Sequence, residues 1–109
     1  MKRIGSFRSG ARKPDAPERD AAATLAIDAL SWLASDLGQM SRFMLATGID
    51  FDALRGAAED PQLLVGVLDH ICGDERLLIA FAAHIGVSPR KIEAAWHTLG
   101  GRRWERDVP

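Results

Sequence analysis

Apolar residues recur along this chain at helical spacing, in blocks set apart by cap residues and glycines. Leu25, Ile27, Leu30, Trp32 and Leu33, with alanines between them, predict a helix from Asp20 to about Ser35. It is apolar around most of its circumference, the pattern of a central, buried helix. Asp36 caps a second helix with the stripe Leu37, Met40, Phe43 and Met44, and Gly48 stops it in the left-handed position. Asp50 caps a short third helix, with Phe51 and Leu54 expected to turn inward. Asp60-Pro61, a cap residue followed by proline at the first helical position, is the strongest start signal in the chain. The fourth helix carries Leu63, Leu64, Val65, Val67, Leu68 and Ile71 and ends at Gly73. Asp74 caps a fifth, with Leu77, Leu78, Ile79, Phe81 and Ile85, ending at Gly86. Ser88-Pro89 opens a sixth, with Ile92, Trp96 and Leu99 on one face, which stops at Gly100-Gly101. The pattern predicts an all-α fold, a single compact bundle of about six short helices. Trp32, Leu68 and Phe81, on the most uniformly apolar helices, are expected to be almost fully buried.

A shift of 38 residues superposes this grammar on itself without gaps. Leu30 meets Leu68, Asp36 meets Asp74, Phe43 meets Phe81, Gly48 meets Gly86 and Asp50 meets Ser88. Two three-helix units packed on one core are the expected arrangement.

Length and charge add boundaries to this picture. The 109 residues suit one domain, and a second unit would be too small to bury its own core. Residues 1–19 hold six basic and two acidic side chains, a net of +4, among glycines, serines and prolines, with only Ile4 and Phe7 large and apolar. They read as a flexible basic arm able to touch nucleic acid, an anionic partner or the body itself. Residues 20–101 form the helical domain, and residues 20–100 carry a net of −6. Residues 102–109 read as a frayed tail from which Trp104 could fold back. Cys72, the only cysteine, reads as a small buried hydrophobe in a reducing compartment. The longest apolar run, Leu77 to Ala83, is too short to span a bilayer, and no apolar stretch follows the N-terminal basic residues. A cytoplasmic location is the expectation.

The polar residues offer little chemistry. Asp20, Asp36, Asp50, Asp60 and Asp74 stand just before helices, where capping accounts for them. Asp69 and Glu75 lack a second acid at a spacing that suggests a paired site. His70 and Cys72, two apart, point to different faces of a helix. His70, His84 and His97 read as boundary residues whose polar tips reach water. No HExxH, CxxC, phosphate-cradling glycine loop or GxSxG elbow occurs. The expectation is therefore no enzyme, no catalytic residue, no cofactor and no metal.

One segment points to a binding chemistry. Residues 81–95 have the form of a DNA-binding helix-turn-helix: Ala82 small on the first helix, Gly86 in the turn, Ile85 and Val87 beside it, then Ile92 and Ala95. Arg90 and Lys91 would stand at the start of the second helix, where base and phosphate contacts are made. Against this, a glycine stop, one apolar residue and a serine cap form a common link between packed helices. Glu93 and the acidic body also oppose a phosphate backbone.

From about Ala22 to Gly101 the chain resembles a bacterial family of small proteins, domain of unknown function 3572. The resemblance is carried by Ala29 to Ala34, Arg42-Phe43 with Thr47-Gly48, Asp60-Pro61, Asp74 to Leu78, Phe81 to Ala83 and Leu99-Gly100-Gly101. It implies an all-helical cytoplasmic protein and no particular activity. The residues favour a non-enzymatic module that binds a protein partner, through a groove between helices or through its tails. The alternative is a nucleic-acid-binding regulator using residues 81–95. No membrane partner is expected.

Overall fold

Six helices follow one another in the computed structural model, which describes residues 14–56 and 59–101. They are α1 (Ala16–Ala34), α2 (Leu37–Thr47), α3 (Phe51–Arg55), α4 (Pro61–Cys72), α5 (Glu75–Ile85) and α6 (Pro89–Thr98), with no strand among the described residues. The expected arm and tail fall mostly outside these residues, as does Trp104.

Every helix starts on an oxygen that accepts from free backbone N–H groups. Asp36 accepts from Gln39 N, Asp50 from Ala53 N, Asp60 from Gln62 N and Leu63 N, Asp74 from Arg76 N and Leu77 N, and Ser88 from Lys91 N. The exception to expectation is α1, which starts at Ala16 rather than near Asp20. Its cap is Asp15, in a reciprocal capping box with Glu18: Glu18 N donates to Asp15 Oδ1 at 2.9 Å and Asp15 N to Glu18 Oε1 at 3.0 Å. Pro17 looked like part of a flexible arm. In the first turn it gives up only an N–H that has no helical partner anyway.

The core runs through α1, α4, α5 and α6, with Phe43 and Met40 of α2 closing it. On α1 the fully buried seam is Ala22, Ala26, Ala29 and Leu33, one stripe of mostly small side chains against which α4 and α6 pack. The larger Leu25, Ile27, Leu30 and Trp32 flank that seam and are only partly buried. This corrects the expectation for Trp32: Ala22, Ala26, Ala29 and Leu33 occupy the buried seam of α1, and the indole lies beside it against Phe81 and His84. Leu68 and Phe81 are fully buried, as expected. Cys72 is half-buried.

The end of α6 is a Schellman turn. Gly101 N donates to Trp96 O at 2.8 Å, Gly100 N to His97 O at 2.9 Å, and Gly100 takes φ +107°. A Cβ on Gly101 would fall inside the Trp96 indole, so this glycine is fixed by close approach. The paired glycines at the end of the domain therefore do two different jobs.

The two halves match closely at the backbone. Shifted by 38 residues, the ends of α2 fall on the ends of α5, and the starts of α3 and α6 coincide. Asp36 (φ −128°, ψ 113°) and Asp74 (φ −130°, ψ 109°) share one conformation, and Gly48 and Gly86 both take φ 75°. Ring contacts follow the same rule. Phe43 meets His70 at 5.2 Å between centroids, and Phe81 meets Trp32 at 5.3 Å. Each phenylalanine thus packs on the ring at the matching position of the other half.

Candidate interaction surface

The 38-residue match sharpens one difference between the halves. Positions 37, 45 and 51 are solvent-facing, and there the first half carries Leu37 (82% exposed), Leu45 (84%) and Phe51 (66%). The matching positions of the second half are also exposed and hold Glu75, Ala83 and Pro89. The same backbone therefore accepts polar, small or cyclic residues at these places, and the fold does not require apolar ones. The reverse case is single: Ile79, 51% exposed, stands opposite Ser41.

Leu37, Ser41 and Leu45 follow at four-residue steps along the solvent side of α2, while Met40 and Phe43 face the core. Phe51 begins α3 just past the Gly48 turn. Phe51 was expected to point inward and does not, and α3 buries none of its residues fully; Leu54 is half-buried. The matching helix, α6, is twice as long and sinks Ile92 and Trp96 into the core. The first half has no indole at the matching position. At the position matching Trp96 the sequence has Ala58, so α3 lacks the side chain that would hold a longer helix down.

A second feature sits at the junction of the halves. A cleft of about 560 Å³ is bordered by Trp32, Asp36, Gln39 and Arg42 on one side and by His70, Asp74, Arg76 and Leu77 on the other. Its acids are the caps of α2 and α5, already engaged by backbone N–H groups. Burial lowers the pKa of His70, with Asp74 and Asp69 pulling the other way. His84 and His97 are exposed, their rings 6.1 Å from Trp32 and 4.9 Å from Trp96. Among the described residues no group of His, Cys, Asp and Glu is placed to hold a metal ion. No described helix is long and apolar enough to cross a membrane.

The helix-turn-helix-like segment has the expected local form. Phe81 and Ala82 are buried, Gly86 is left-handed, Ile92 is buried, and Arg90 and Lys91 are exposed at the start of α6. The same left-handed turn at Gly48 joins α2 to α3, where Asp50 and Asp52 follow. The turn is thus a repeated connector of this fold.

A family model described as "Protein of unknown function (DUF3572)" matches residues 19–102. No curated protein and no solved structure matches the chain.

Proposed function

We propose that this chain, which belongs to the DUF3572 family of proteins of unknown function, is a non-enzymatic helical module that docks a protein partner on the outer face of α2 and α3. The observation that carries this reading is the contrast between the halves: Leu37, Leu45 and Phe51 stand in water where Glu75, Ala83 and Pro89 serve the same backbone. Covering a Leu or Phe side chain contributes about 1.5–3 kcal/mol, so three together can anchor an interface. A reducing cytoplasm suits a chain whose only cysteine is Cys72. The nucleic-acid reading rests on Arg90 and Lys91, both exposed beside the turn. It is the weaker one, because the turn recurs beside Asp50 and Asp52 and because residues 20–100 carry a net of −6.

Photo-crosslinking side chains placed singly at positions 45, 51, 83 and 89 in living cells test the proposal. The reading predicts discrete products from 45 and 51 and none from the matching positions 83 and 89. Equal labelling of both pairs, or no product from either, contradicts it.

A further inference from the structure

The charge around the apolar face says what it would accept. Residues 36–60 hold five acidic side chains against Arg42 and Arg55, a net of −3. Arg55 is already turned to Asp52 at 3.7 Å. A second copy of this face would be repelled, whereas a basic segment with a few apolar side chains would be attracted. The chain contains one such segment. Residues 1–13 carry Lys2, Arg3, Arg8, Arg12 and Lys13, no acid, and the apolar pair Ile4 and Phe7.

Its point of departure is favourable. Arg19 and Asp20, near the start of α1, share a cleft of about 450 Å³ with Glu59 and Pro61, at the link between α3 and α4. Residues 1–13 join the body at Pro14, little more than one helical turn ahead of this cleft at the end of the acidic stretch. Seven extended residues separate Phe7 from Pro14 and reach about 23 Å; the ten back to Ile4 reach about 33 Å. From Glu59 back to Phe51 the chain spans eight residues, at most about 26 Å, a length comparable with the reach of the arm.

Resting on the docking function proposed above, we infer that residues 1–13 dock on the α2–α3 face of their own chain, with Ile4 and Phe7 against Leu45 and Phe51 and the five cations facing Asp50, Asp52 and Glu59. Ile4 and Phe7 are the large apolar side chains that the arm offers besides Met1. A tethered segment meets its own face at an effective concentration in the millimolar range, so a weak contact suffices. The arm screens the apolar face, and a partner must displace it.

The test is amide hydrogen exchange on the full chain and on the full chain carrying Ile4→Ser and Phe7→Ser. The inference predicts exchange about fivefold faster across residues 37–55 in the variant, with α4 and α6 unchanged. A synthetic peptide of residues 1–13, added to the variant, should restore the protection, and should do so less well as salt rises. Leu45→Lys, which removes the apolar contact and adds a repelling charge, should abolish that restoration. Unchanged exchange across residues 37–55 overturns the inference, as does an effect that grows with protein concentration, which would place the arm on a second copy. If exchange is unchanged while positions 45 and 51 still crosslink to another protein, the docking function stands and only the arm's role falls.

Discussion

His70 shows how a single side chain reports on the packing around it. It lies half-buried on α4, edge-on to Phe43 at 5.2 Å, beside the cleft at the junction of the halves. Loss of water around the ring favours the neutral imidazole and lowers its pKa below the ordinary 6.5, against the pull of Asp74 and Asp69. The sign for stability follows from linkage. Above 6.5 the ring is neutral folded and unfolded, and the site contributes its full stability. As pH falls through 6.5 the unfolded chain takes up the proton first, so stability declines until the folded-state pKa is reached. Denaturant titrations across this range should therefore show an acid-side loss that His70→Gln removes. A loss of the same size in the variant would mean another group is responsible.

At the scale of elements, most of the fold was legible from the sequence, because helix ends are written in residues with one dominant use. Asp and Ser caps, two of them followed by proline, and glycine stops place α2, α4, α5 and α6 within a residue or two, and the start of α3. The start of α1 was not legible, since Pro14 and Pro17 belong equally to a flexible arm and to a helix entrance; only the Asp15–Glu18 pairing distinguishes them. Inward and outward faces of a short helix were also out of reach. In α3, five residues give no periodicity to read, and hydrophobicity alone points Phe51 to the core. The candidate surface became visible only when the halves could be compared in space. The 38-residue offset was in the sequence, but exposure at positions 45 and 83 was not. The shared turn carries its own prediction. Gly48 and Gly86 both take φ 75° with open space where a Cβ would go, so strain alone sets the cost of alanine, about 1–2 kcal/mol at each. Urea unfolding should give similar losses for Gly48→Ala and Gly86→Ala. A much larger loss at Gly86 would assign that turn a special role, as a dedicated helix-turn-helix requires.

Over the whole molecule, the match between positions 38 residues apart separates what the fold needs from what it tolerates. Phe43 and Phe81 are fully buried and packed on reciprocal rings, Ala26 and Ala29 let α1 run close to its neighbours, and Trp96 seats on Gly101. Leu45 and Phe51 lie outside this set, although they are as apolar as the residues within it. Deleting a buried phenylalanine side chain costs about 3–5 kcal/mol, whereas a solvent-facing position away from caps changes stability by about 0.5 kcal/mol. The unfolding free energies of Leu45→Ser and Phe51→Ser, measured beside Phe81→Ala, test most directly whether the α2–α3 face is spare to the fold. The account predicts a loss below about 1 kcal/mol for each serine variant, against about 3–5 kcal/mol for Phe81→Ala. Losses at positions 45 and 51 that approach the Phe81→Ala value would show that these side chains hold the bundle together, and would contradict it.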